Sequence, residues 1–272
     1  SPVEHGFLSF FDEPGGGVGM IWLDGRQTMS DAAATPAAPN HGHGGGSGAM
    51  MLRSTTVRQG VPPGEDVLVD ARVCDCCPTT AVRTSTGVVA AYRDRSEGEM
   101  RDISVARLVQ GRWQSGGFVH ADGWRIEGCP VNGPALASAG DLVALAWFTA
   151  ANDVGRVSLA FSRDGGASFG APIQIDDGRP LGRVDVEMLP DGSAVVLWLE
   201  RRDGGGAVQA RRVGPDGRRG PATAVARVSA DRSSGHPRVV RSGSRLYFAW
   251  KANADVTGIV AAVADVPQDA IR

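Results

Sequence analysis

Apolar residues in this chain come in short runs broken by Gly, Asp, Asn and Pro, and nowhere at helical spacing. Five segments repeat one design: a short first strand, a turn, then an apolar strand that carries an aromatic and leaves through a polar or charged residue. These second strands are predicted at 19–24 (GMIWLD), 88–94 (VVAAYRD), 142–149 (LVALAWFT), 194–200 (AVVLWLE) and 245–251 (RLYFAWK). Their markers, Trp22, Tyr92, Trp147, Trp198 and Trp250, stand 70, 55, 51 and 52 residues apart, a period that fits four strands per blade of a β-propeller. The long first interval holds a Gly/Pro/Ala-rich loop insertion at 27–48. Innermost strands are predicted at 6–11, 78–83, 134–139, 184–189 and 237–241, and third strands at 49–56, 101–108, 156–161 and 208–213. A β-sandwich is the alternative, but it gives no reason for a fivefold register. The reading is a single all-β propeller domain over 1–272, with four full blades and a last one, 237–266, that lacks its own outer strand.

One eight-residue stretch carries more than periodicity. Ser162-Arg163-Asp164-Gly165-Gly166-Ala167-Ser168-Phe169 lies between the apolar runs 156–161 and 171–175. Asp and Gly there supply the side-chain-to-backbone bonds and the positive φ of a tight hairpin. The pattern S-x-D-x-G-x-S-F resembles the Asp-box, or BNR repeat, of sialidases, where it folds the turn between the third and fourth strands of a blade. Asp216-Gly217 and residues 110–113 are degenerate versions at the corresponding turns.

Across residues 5–266 the chain resembles the sialidase (neuraminidase) superfamily. CDCCPT, YRDRSEGEMRDI, DGWRIEGCPVNGPA and WFTAA further resemble bacterial exported sialidase-like proteins. The resemblance implies a six-bladed propeller, of which about five blades are present, so that a further blade precedes this chain or the ring closes with five. It implies export to the periplasm or the exterior, and a glycan as ligand. Exo-sialidases use three arginines, an aspartate acid/base, and a tyrosine assisted by a glutamate. The chain departs from that pattern: its two tyrosines, Tyr92 and Tyr247, both fall within second strands, where burial is expected, and the family's N-terminal arginine motif is not visible in these residues, a preceding blade being where it would lie.

Charge and composition narrow the partners. The net charge of −2 excludes a nucleic-acid footprint, and no run of 18 apolar residues provides a membrane span. Lys251 is the only lysine beside 27 arginines, a bias of GC-rich bacterial coding. No cofactor is expected.

Four constellations can carry chemistry. Cys74, Cys76 and Cys77 precede one innermost strand and Cys129 the next, so Cys77 and Cys129 are expected to face each other across adjacent blades. They suit disulfides in an exported protein, a Zn²⁺ or Cu⁺ thiolate site, or a redox-active pair. The insertion adds His41, His43 and Met29, with Met50 and Met51 at its end, as soft ligands for a metal site. The charged hairpin 92–102 offers Arg93, Arg95 and Arg101, either as a self-neutralised loop or as a carboxylate clamp. Polar residues at the innermost strands, His5, Asn132, Arg183, Asp185, His236 and Arg238, would line the channel mouth, with Trp124 as an aromatic platform. Asp185 and Asp122 are the candidates for general acid work. The functional expectation is a propeller that binds a glycan or other acidic ligand at its mouth, with hydrolysis of that ligand left open. A periplasmic metal-binding or protein-interaction propeller that uses the Cys cluster is the alternative.

Overall fold

The computed structural model describes residues 3–13, 16–28, 49–252 and 258–266. Nearly all regular structure is antiparallel sheet, in sequence order. Blade I holds β1 (His5–Glu13), β2 (Gly17–Asp24), β3 (Met50–Arg58) and β4 (Val67–Val73). Blade II holds β5 (Thr80–Thr84), β6 (Gly87–Arg93), β7 (Ile103–Val109) and β8 (Arg112–Phe118). Blade III holds β9 (Ala135–Ala139), β10 (Leu142–Thr149), β11 (Arg156–Ser162) and β12 (Ile173–Gln174), and blade IV β13 (Pro180–Met188), β14 (Ala194–Arg202), β15 (Gly205–Val213) and β16 (Thr223–Val228). Blade V has three strands among the described residues: β17 (Arg238–Ser242), β18 (Arg245–Lys251) and β19 (Ile259–Asp265).

Alternation along each second strand explains how the blades stack, because successive side chains point to opposite faces. In β6, Val88, Ala90 and Tyr92 join Ile21 and Leu23 of blade I, while Val89 and Ala91 join Val143, Leu145 and Trp147 of blade III. In β10 the other set, Ala144, Ala146 and Phe148, packs against Val196 and Trp198 of blade IV. Val195, Leu197 and Leu199 then meet Leu246 and Phe248 of blade V. Four cores in series thus join five sheets, which is propeller architecture. The outward faces of the two end blades keep apolar side chains in solvent: Phe10 and Val18 on blade I, and Val240, Tyr247 and Val263 on blade V. Tyr247 is therefore 39% exposed, contrary to the burial expected from its place in a second strand, because no sheet covers that face among the described residues.

The aromatic markers owe their place to two properties at once. Tyr92, Trp147 and Trp198 bury their rings between blades. Their polar tips find carboxylates: Tyr92 Oη donates to Asp70 at 2.7 Å, Trp147 Nε1 to Asp122 at 2.7 Å and Trp198 Nε1 to Glu200 at 2.6 Å. Trp22 repeats the device with Asp24 at 3.0 Å. Burial pushes the Asp24 carboxyl up, but the Arg26 guanidinium and backbone N–H, with the Trp22 indole, outweigh it and hold the pKa at about 2.

Residues 162–169 turn β11 into β12, as the pattern predicts. The Asp164 carboxylate accepts from the Ser168 backbone N–H at 2.9 Å, the Ser168 hydroxyl at 2.6 Å and the Ser162 hydroxyl at 2.7 Å. Gly166 has φ of 80°, and a Cβ there would stand 2.4 Å from Val89 Cγ2, so the turn is clasped against blade II. The turn occupies the rim opposite the leads into the innermost strands. It serves the fold.

The Ser168 bonds hold the Asp164 pKa at about 2. Its contribution to stability is therefore complete above the ordinary carboxylate pKa near 4 and is lost as pH falls toward 2. Asp164→Ala is expected to lower stability by about 1–2 kcal/mol at pH 7 and by much less at pH 2. Urea unfolding at the two pH values checks this.

Candidate functional site

The segments that lead into the innermost strands meet one another around one rim. Thr79 Oγ1 donates to Phe7 O at 2.6 Å, joining blades I and II. Blades II and III come so close that a Cβ on Gly133 would lie 2.0 Å from the Pro78 carbonyl oxygen. Asn132 Oδ1 accepts the Arg183 backbone N–H at 2.6 Å, and its amide donates to Pro130 O at 3.1 Å and Leu181 O at 3.3 Å, joining blades III and IV. Arg183 Nη1 donates to Asp231 O at 3.2 Å and Gly235 O at 3.1 Å, joining blade V. Three non-glycine residues of this rim, Phe7, Val131 and Arg183, have φ of 51°, 51° and 54°. Left-handed backbone in such residues costs on the order of 1–3 kcal/mol each, and strain of this kind collects at binding sites.

The sequence-derived candidates separate into a group at blades II and III and a group at blades IV and V. Arg93 is fully buried at the end of β6. Its guanidinium donates to Asn132 O and Phe148 O, each at 2.6 Å, and to Arg101 O, and lies 4.7 Å from the Trp124 ring centroid. Burial pushes its pKa down against the opposing pull of Asp122 and Asp102, yet a guanidinium stays charged. Trp124 is buried edge-on to Phe148 at 5.6 Å between centroids, so its ring faces no solvent-filled mouth. Asp122 accepts from Trp147 Nε1 and from His120 Nδ1 at 2.8 Å. Arg95 pairs with Asp75 at 2.8 Å and Glu99 at 2.9 Å, and Arg101 with Glu99 at 2.6 Å. In this loop the charges neutralise one another, and its arginines brace the rim.

The second group lies at blades IV and V, where Arg232 and Arg238 are exposed, His236 is half-buried and Arg183 is buried. Arg183, Arg232, His236 and Arg238 gather there, and among the described residues no carboxylate pairs with Arg183 or Arg232. Burial lowers the Arg183 pKa, and the Arg232 cation lowers it further. His236 Nε2 lies 3.3 Å from Val131 O, and burial followed by the Arg183 cation lowers its pKa. Arg238 reaches Asp185 at 3.4 Å. Asp185, Glu187 and Arg238 line a channel cavity of about 430 Å³ with Thr80 and Ser138. Arg232 is the residue that sequence reading missed. It belongs to no strand, and only its place just before an innermost strand, like that of Cys129, marks it.

Four sulfurs complete the rim. Cys76 bonds Cys129 across blades II and III, and Cys74 bonds Cys77 locally, so Cys76 rather than Cys77 is the residue joined to Cys129. The Cys74 backbone N–H is bonded to Arg93 O at 3.0 Å, which fixes this lead segment to the end of β6. Arg232 Nη2 donates to Cys129 O at 2.8 Å and ties the cationic group to this cluster. Met50 and Met51 are buried in blade I, while His41, His43 and Met29 lie outside the described residues. No helix among the described residues is long and apolar enough to cross a membrane.

No protein-family model matches the chain, and no curated protein matches it in sequence. Among solved structures it is similar to a protein of unknown function from Dyadobacter fermentans DSM 18053, with a TM-score of 0.55 and 14% identity over 96% of this chain and 79% of that one. It is also similar to a β-1,2-mannobiose phosphorylase from Listeria innocua, with a TM-score of 0.47 and 11% identity over 98% and 92% of the two chains. A third is the α-L-arabinofuranosidase PaAbf62A from Podospora anserina, with a TM-score of 0.46 and 11% identity over 94% and 88%. At these identities the Dyadobacter likeness speaks to the fold alone.

Proposed function

We propose that this is an exported, sialidase-like propeller that binds an acidic saccharide, or another small carboxylate, at the mouth formed by blades III to V. The observation that carries the reading is the surplus of cations there: Arg183 and Arg232 have no carboxylate partner among the described residues, and His236 stands beside them. A guanidinium pair held on a rigid rim suits the planar geometry of a carboxylate. The same reading takes the ring as the six-bladed type, since a further blade would cover the outward apolar faces of blades I and V. The two disulfides fit export. If a glycosidic bond is cleaved, Asp185 is the carboxyl for acid work, because burial raises its pKa to about 6 and Arg238 only partly offsets this.

Titration calorimetry against N-acetylneuraminic and glucuronic acids, with a neutral sugar as control, tests the proposal. Arg232→Gln and Arg183→Gln are each expected to weaken binding of the acids at least about tenfold, with weaker binding as salt rises. Because an anion would raise the depressed His236 pKa, affinity is expected to increase as pH falls from 8 to 6. Equal binding of the neutral sugar, unchanged by both variants, would overturn the reading. A fluorogenic sialoside assay decides separately whether any bond is cleaved.

Asp185 also yields a stability prediction. Between pH 4 and about 6 the folded chain holds a proton that the unfolded chain releases, so this group favours folding as pH falls through that window. Asp185→Asn keeps an oxygen for the Val239 backbone N–H, now 2.8 Å from the carboxylate. The variant is expected to lose that pH dependence and to be about 1–2 kcal/mol more stable at pH 7.5. Thermal melts across pH 4–8 check the sign.

A further inference from the structure

Three sulfurs are crowded beyond what two structural staples require, and Cys129 joins them through Cys76. Cys74, Cys76 and Cys77 are all buried, and their sulfur atoms lie within 4.8 Å of one another. Sulfurs of different disulfides, Cys74 and Cys76, are 3.9 Å apart. In a tetrahedral thiolate site with metal–sulfur bonds of about 2.3 Å, sulfurs stand about 3.8 Å from each other. Adjacent cysteines such as Cys76 and Cys77 usually diverge, but here both turn into one cluster, and Cys129 reaches it from the next blade. The Cys74–Cys77 bridge closes a sequence separation of 3, the kind of loop from which a staple gains least by constraining the unfolded chain. The separation of 53 between Cys76 and Cys129 is where a staple gains more.

We infer that Cys74, Cys76, Cys77 and Cys129 form, when reduced, a tetrathiolate site for one thiophilic d¹⁰ cation, Zn²⁺ or Cu⁺. The disulfide and metal-bound forms are then alternative states of the same rim. The interconversion balances with a dithiol reductant: two dithiols are oxidised to disulfides as both S–S bonds break, leaving four thiols. Metal binding releases their protons to solvent. The backbone of each lead segment is held by bonds that involve no sulfur, including Arg95 to Asp75 at 2.8 Å and Arg232 to Cys129 O at 2.8 Å. Those bonds keep the four ligands together after reduction.

The test uses the full chain, reduced anaerobically with a phosphine and titrated with Co²⁺. The expected result is the thiolate-to-cobalt charge-transfer absorption of a tetrahedral site, saturating near about one equivalent and bleached by Zn²⁺. Cu⁺ competition then decides which of the two cations is preferred. Cys74→Ser with Cys77→Ser is expected to abolish the band. Cys129→Ser leaves the buried three in place, guards against loss of folding, and is expected to shift the band and weaken binding. Circular dichroism establishes that each variant remains β-rich. Absence of the band in the folded, reduced protein, or an unchanged band in both variants, would overturn the assignment. Acid binding at Arg183 and Arg232, measured on the oxidised protein, stands or falls independently.

Discussion

A sheet with two apolar faces cannot stand alone in water, and every other feature of this protein follows from that constraint. Each of blades II, III and IV presents one face to the blade before it and one to the blade after it, so the cores occur in series. At about 25 cal/mol per Å² of apolar surface, stacking is what holds a series of short-stranded sheets that share few hydrogen bonds between blades. The outermost strands need contribute little, and β12 has only two residues.

Stacking leaves the rim with polar groups that must be satisfied without water. The solution is repeated with different residues. Aromatic rings enter the cores and hand their N–H or O–H to a carboxylate, and buried Arg93 spends its guanidinium on carbonyls from two blades. Most charges near the rim are consumed in this way, which is why the charged hairpin 92–102 braces the fold although its composition resembles a ligand clamp. At blades IV and V, by contrast, Arg183 and Arg232 have no carboxylate partner among the described residues.

The rim also stores strain. Val131 is β-branched and adopts φ of 51° beside Asn132, and Arg183 adopts 54° where Asn132 receives its N–H. Both are over-determined by contacts from the neighbouring blade, as is the sulfur cluster beneath Val131. Lead segments held this way keep their side chains in one place.

The register of aromatic-marked strands was legible in the sequence because the constraint behind it is local: alternation and turn chemistry decide which residues are strand. The second strands at 142–149 and 245–251 fall where the pattern puts them, and the turn at 162–169 folds through its own Asp and Ser. The chain also carried the clustering of the cysteines and the place of Asp185 on an innermost strand. Which cysteines bond, which carbonyls Arg93 and Arg183 reach, and that Arg232 lies beside them depend on contacts between residues some 40 to 100 positions apart. No periodicity encodes such contacts. Only the stacking of blades decides which charges find partners and which do not.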